Sequence, residues 1–363
     1  MLGLISLAVA AKYERSRVRF AIFPGLKGEL RGMFTSLRKY LAAGVAVWLA
    51  GCAGDGGPLV LSASHQWPLG DIRDEMVQII AREVTAADVG LEMRVYPGEA
   101  LLKARDQWAA LVAGRVDLIS LPLDYASGRH PQFSATLMPG LVKGHAHARR
   151  LNDSPFMEEV HRIIDSAGAI VLADAWVAGG FVSTRGCIAD PQDIRGQVTR
   201  AAGPMFERML AAAGASITSM PSSEIYTALQ TGVLDAANTS SGSFVSYRIY
   251  EQVQCFTAPG ETALWFMYEP VMISKRTWER LNEAQRAALR AAAASAEEFF
   301  DAAGAAQDGE AEKIFADAGV QVVHLSESQL QAWRAIAAES SYATFAAEVE
   351  GGRELLDLAL AVE

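Results

Sequence analysis

From Leu59 onward, short apolar runs alternate with stretches of helical period, and this alternation most limits what the chain can fold into. Leu59-Val60-Leu61-Ser62-Ala63-Ser64 reads as a buried strand. Asp71 to Val84 sets apolar residues at Ile72, Met76, Ile79 and Ile80, the period of a helix. Leu91 to Tyr96 alternates as a second strand and is stopped by Pro97-Gly98. Trp108 to Ala113 is a short helix closed by Gly114, and Val116 to Ser120 is a third strand. A β-α-β-α-β order implies a parallel sheet with right-handed crossovers. Met157 to Ala167 adds a helix and Ile170 to Ala173 a strand.

The pattern then restarts. Strands are expected at Phe181–Thr184, Gln197–Arg200, Ile217–Met220 and Val233–Ala237. Between them, Pro204 to Ala213 is a helix stopped by Gly214, and Glu224 to Thr231 is a helix that Ser222 can cap. Glu283 to about Ala318 is one Ala-rich helical stretch. At about 1.5 Å per residue it spans roughly 50 Å, enough to cross more than one lobe.

The N-terminus carries an export signal. Met33 to Tyr40 is polar and basic, Leu41 to Leu49 is apolar, and Leu49-Ala50-Gly51-Cys52 ends it as a bacterial lipobox. Cleavage before Cys52 and lipid on its sulfur are expected. The apolar run falls short of the roughly 20 residues that span a bilayer, so tethering rather than spanning is implied. Met33 is the expected start, with 1–32 an upstream extension. Residues 1–51 are therefore set aside, and 52–58, with Asp55-Gly56-Gly57-Pro58, read as lipid anchor and spacer.

Residues 1–51 hold 8 of the 32 Lys and Arg and 2 of the 42 Asp and Glu, so 52–363 carries a net charge of −16. Such a surface opposes nucleic acid and anionic headgroups. An anionic ligand must be held by local arginines inside a cleft. With Cys52 assigned to the lipobox, Cys187 and Cys255 remain. They either pair, as an oxidising compartment permits, or stay as two buried thiols. No spacing resembles a metal site, and His145 and His147 read as an exposed helix start.

Several segments of the second half share one pattern. Asp193-Ile194-Arg195-Gly196-Gln197-Val198-Thr199-Arg200 is followed by Gly214-Ala215 and then by Met220-Pro221-Ser222-Ser223-Glu224-Ile225-Tyr226-Thr227-Ala228-Leu229-Gln230-Thr231-Gly232-Val233-Leu234-Asp235. This succession resembles the solute-binding proteins of tripartite ATP-independent periplasmic (TRAP) transporters, dicarboxylate type. Leu111 to Asp117, Pro270 to Trp278 and Leu281 to Gln285 resemble flanking segments of the same family. The resemblance runs over roughly 59–330.

It implies a two-lobed, periplasmic-binding-protein-like α/β fold with an interlobe cleft and a long helix bracing both lobes. Lobe I would take 59–175 and 266–305, and lobe II 176–265 and 306–363. A small organic acid would bind in the cleft and pass to TRAP membrane subunits driven by an ion gradient, with no cofactor and no chemistry on the ligand. Arg200 matches the family arginine that grips the carboxylate, for which a guanidinium offers a planar donor fork. Arg185 lies near a second position that often carries a helper arginine. After Asp235, itself read as structural, the binding amide of the family falls on Asn238, or its role on Thr239. Trp67, Tyr125, Trp176 and Trp265 are candidate cleft walls, Trp67 and Tyr125 because they follow strand ends, where open α/β sheets bind ligands.

Two other roles stay in view: presenting a ligand to a sensor receptor, and an extracytoplasmic enzyme. Against the enzyme, the chain has no Gly-x-Ser-x-Gly elbow, phosphate-cradling glycine loop or His-Glu-x-x-His helix.

Overall fold

The computed structural model describes residues 57–363; the lipobox Cys52 and the signal expected over 1–51 lie outside the described residues. Two sheets organise the rest. The first contains β1 (Leu59–Ser64), β2 (Leu91–Tyr96), β3 (Leu118–Ser120), β4 (Ala169–Ala173) and β11 (Val271–Ser274), in the order β2-β1-β3-β11-β4. The second contains β5 (Trp176–Ser183), β6 (Val198–Ala201), β7 (Ser216–Ser219), β8 (Ala236–Ser240), β9 (Cys255–Ala258) and β12 (Gln321–His324), in the order β12-β9-β5-β8-β6-β7. β10 (Trp265–Tyr268) lies on β5 beside that path.

Strands β2, β1 and β3 are parallel, as their helical connections require. The parallel expectation ends there. β11 runs antiparallel to both β3 and β4, because the chain leaves the first sheet by β4 and returns between β4 and β3. That return is later than the sequence reading placed it. β10 hydrogen-bonds β5 along Trp176–Gly179, so residues 266–268 belong to the second sheet and the first is re-entered at Val271.

β5 carries β8 along one edge and both β9 and β10 along the other. The glycine pair in its middle permits this. A Cβ at Gly179 would fall 2.0 Å from the Thr239 carbonyl oxygen, and one at Gly180 1.9 Å from that of Thr257.

The long helix, Glu283–Asp317, begins at a capping box in which Asn282 and Gln285 serve each other's backbone. Its Leu289, Ala292, Ala293 and Ala296 share a core with Met76, Val77 and Ile80 of helix Ile72–Ala86 under the first sheet. Its Ala311 and Phe315 pack with Phe244 and Phe256 at the second. One helix thus braces both lobes.

The C-terminal segment does not stay with the second lobe. Trp333 of helix Glu327–Ala337 stacks on Phe181 of β5. Leu355, Leu356 and Ala359 of helix Gly352–Leu360 instead pack with Phe156 and Val160 of helix Pro155–Ser166, on the first-lobe side. Cys187 and Cys255 form a disulfide that ties the loop after β5 to the start of β9. Among the described residues, no helix is long and apolar enough to cross a membrane, and no group of side chains could hold a metal ion.

Candidate functional site

Arg200 of β6, the Asn238 carbonyl of β8 and Tyr125, which follows β3, meet at the boundary of the two lobes. Arg200, on β6, is fully buried. Its Nε donates to the Met220 carbonyl at 2.9 Å, its Nη1 to the Asn238 carbonyl at 2.6 Å and its Nη2 to the Tyr125 hydroxyl at 2.9 Å. A guanidinium has five N–H donors, so Nη1 and Nη2 each keep one. Arg200 has no ion-pair partner among the described residues, although burying an unpaired cation is costly.

Tyr125 reaches Arg200 from the turn Leu123–Ala126 that follows β3 of the first sheet. Its hydroxyl also accepts from the Ser222 backbone N–H at 3.0 Å. The side-chain cap expected from Ser222 on the next helix does not form. The residue opens a short 3-10 turn after Pro221 instead, which aims its N–H at Tyr125.

Strand register separates the two candidates on β8. Ala237 pairs with Arg200, so Ala237 and Thr239 face the side of the sheet that Arg200 faces. Asn238 pairs with Phe181 and faces the other side. Asn238 therefore meets Arg200 through its backbone carbonyl, and its buried amide has no partner of its own.

A second buried arginine, which the sequence reading did not single out, lies on the same lobe boundary. Asp71 caps helix Ile72–Ala86 and grips Arg73 with both oxygens, at 2.7 Å and 2.6 Å. Arg73 Nη1 crosses to Ser240 at 3.0 Å, Ser243 at 3.1 Å and Glu269 at 3.1 Å. Burial pushes the Glu269 carboxyl up to about 7, and Arg73 opposes that rise. Burial would also raise Asp71, but the Arg73 charge and hydrogen bonds hold it below the usual range. The visible signal is Asp71 in a helix-capping position two residues before an arginine in the first turn of the helix.

The aromatic candidates divide. Trp67 is buried, with the Arg73 guanidinium 4.5 Å from its ring centre, and its indole nitrogen has no partner. Trp265 is buried with its indole nitrogen also unpartnered. It pairs with Gly179, and so it lies on the Asn238 side of the sheet rather than the Arg200 side. Trp176 is not brought to the site: its indole donates to Asn152 at 2.8 Å and its ring packs on Tyr268 at the lobe crossing.

Arg185 is not brought to the site either. Its side chain is 58% exposed and paired with Asp235 at 2.7 Å. Asp235 also accepts from the Val198 backbone N–H at 2.8 Å, which fixes this pair at the start of β6 and β8, away from the strand ends where Arg200 meets Tyr125. The Asp235 side chain ties strand to backbone.

Comparison with known proteins bears on the family and the fold. The profile of bacterial extracellular solute-binding protein family 7 matches residues 63–348. A solute-binding protein of Albidiferax ferrireducens is 35% identical over 305 residues, covering 82% of this chain and 90% of its own length. The crystal structure of a TRAP periplasmic solute-binding protein from Rhodoferax ferrireducens with bound malonate aligns with a TM-score of 0.80 at 35% identity, over 82% of this chain and 96% of that one. An extracytoplasmic solute receptor of Bordetella pertussis binding pyroglutamic acid aligns with a TM-score of 0.76 at 23% identity, over 83% and 99%, a likeness of fold.

Proposed function

Since the chain belongs to the bacterial extracellular solute-binding proteins of family 7, we propose that its lobes close on a small organic acid whose carboxylate is held by Arg200. The acid is then handed, unchanged, to the membrane subunits of a TRAP transporter. One observation carries this reading: Arg200 is buried between the lobes with two N–H donors to spare and no acidic partner among the described residues. A ligand carboxylate would neutralise it and accept both donors at once. In this reading Tyr125, bonded to that fork, and Thr239, on the Arg200 side of the sheet, would flank the ligand, and Trp67 would supply an apolar wall.

Thermal shift and calorimetry with a panel of organic acids, malonate and succinate among them, test the proposal. Binding acids should raise the melting temperature, because a ligand at 100 times its Kd stabilises by about 2.7 kcal/mol. They should be recovered unaltered. A panel in which no carboxylate shifts the transition would refute the reading.

The lipobox at Cys52 supports an anchored form that holds the binding lobes at the membrane where the transporter lies. Labelled palmitate should enter the wild-type protein and not Cys52→Ser; equal labelling of both would exclude this anchor.

A further inference from the structure

Asp124 sits one residue before Tyr125 in the turn after β3. It is 2% exposed; among the described residues the Ser134 hydroxyl alone approaches it as a donor, and no backbone N–H or cation bonds either oxygen. Ser134 lies alongside it from its own lobe, and Arg200 and Glu207 face it from the other. It presses so closely on the start of helix Pro204–Ala212 that a Cβ at Gly203 would fall 1.2 Å from its Oδ2. Gly203 is three residues beyond Arg200 in the chain.

Burying a carboxyl without donors is costly. Burial pushes this one up to about 7, with Ser134 drawing it down, Glu207 adding to the rise and Arg200 opposing it. Its neighbours are already engaged. The Tyr125 hydroxyl joins Arg200 and Ser222, and Arg200 also donates to the Met220 and Asn238 carbonyls. Ser134 apart, no donor among the described residues uses the Asp124 oxygens. They keep acceptor capacity at the junction of the lobes, against Gly203 and within reach of the Arg200 charge.

We propose that Asp124 is a specificity residue: it accepts a hydrogen bond from a hydroxyl or ammonium on the carbon next to the carboxylate that Arg200 holds. The favoured ligands are then 2-hydroxy or 2-amino acids rather than plain acids. The proposal rests on the carboxylate reading of Arg200. Charge separates the two donors. Once the ligand carboxylate neutralises Arg200, an ionised Asp124 finds a cation only if the ligand brings an ammonium. With a hydroxyl donor, Asp124 takes up a proton as the lobes close.

The test is calorimetry on matched trios: malonate with hydroxymalonate and aminomalonate, succinate with malate and aspartate, glutarate with 2-hydroxyglutarate and glutamate. In at least one trio the wild-type protein should bind a hydroxy or amino member about tenfold or more tightly than the plain parent. Asp124→Ala should abolish that preference. Asp124→Asn keeps an acceptor oxygen and should retain part of it, which guards against a poorly folded alanine variant. Titration in two buffers of different ionisation enthalpy separates the donors, proton uptake marking the hydroxyl and its absence the ammonium. Plain acids that bind as well as their substituted partners would overturn the proposal, as would a preference unchanged in Asp124→Ala. If no acid of any trio binds, the Arg200 reading falls first and this inference with it.

Discussion

The hydroxyl of Tyr125 lies 2.9 Å from Nη2 of Arg200 and 3.0 Å from the backbone nitrogen of Ser222, so one first-lobe side chain holds two second-lobe segments. Both bonds cross the boundary that must open for a ligand to enter. Tyr125→Phe keeps the ring and removes both bonds. The bond to the arginine is of the charge-assisted kind, worth roughly 1.5–3 kcal/mol. Ligand affinity should fall about tenfold to a hundredfold, with little change in the melting temperature of the unliganded protein. Calorimetry beside a thermal melt checks this; unchanged affinity would show that Tyr125 plays no part in closure.

The two arginines named from the sequence should now behave very differently. Arg200→Ala removes a buried fork and leaves a desolvated carboxylate unpaired, so binding should weaken about a hundredfold or more. Arg200→Lys should also be impaired, since a point charge cannot reproduce two parallel donors. Arg185→Ala breaks only a half-exposed pair with Asp235, and exposed pairs contribute about 0–1 kcal/mol. Its affinity should match the wild type. A large binding loss in Arg185→Ala with Arg200→Ala near normal would reverse the assignment.

That Arg200 is buried on a strand was legible in the sequence, and the contacts of Arg73 were not, because of where the information lies. Arg200 ends a strand inside a run of residues whose order marks it. β1, β2, the helix over 72–86 and the long helix announce themselves by period and caps within one segment. Arg73 looks like any first-turn helix residue until Ser240, Ser243 and Glu269 arrive from far along the chain. The same holds for β10, whose place on β5 depends on Gly179 and Gly180 letting neighbouring backbones approach. The placement of Arg185 was hidden for the converse reason. Proximity in sequence suggested the site, but β5 carries it to the opposite end of the sheet, where Asp235 takes it. Likewise an offset of one residue decides whether Asn238 or Thr239 faces Arg200, and only register with β6 fixes that.

The Cys187–Cys255 disulfide closes a sequence separation of 68 residues within the second lobe. A loop of that size restricts the unfolded chain by about 4 kcal/mol in the entropy model, and measured values cluster near 2–4. Cys187→Ser should lower the denaturant midpoint accordingly. Ligand affinity should hold, because the bridge sits by the Arg185 end of β5. Affinity lost in step with stability would tie the bridge to the site.

Glu269 makes stability depend on pH in a definite direction. Its folded pKa, about 7, lies above its ordinary 4.5, so the folded protein holds this proton longer than the unfolded chain does. The stability it contributes is complete below about 4.5 and is lost as pH rises towards 7, on the order of 3 kcal/mol at most. Glu269→Gln keeps an acceptor for Arg73 and cannot titrate. Urea midpoints at pH 5 and pH 8 should differ less in the variant, with the wild type relatively more stable at pH 5. Parallel pH curves for the two proteins would remove Glu269 from the account.

Gly203 offers the sharpest test that the lobes come together as the structure has them. Its φ is −165°, extended backbone that any residue adopts, so alanine strains nothing locally. Yet the added Cβ would lie 1.2 Å from Asp124 Oδ2, far inside contact distance. Gly203→Ala should therefore fold with a normal melt and still be unable to bring Asp124 against the start of helix Pro204–Ala212. Affinity for a verified acid should fall more than about tenfold, and X-ray scattering should show little compaction when that acid is added. Adding Asp124→Ala to Gly203→Ala removes the collision and should restore compaction, though not selectivity between plain and substituted acids. A Gly203→Ala protein that binds and compacts like the wild type would mean that Asp124 and Gly203 do not meet in the bound protein.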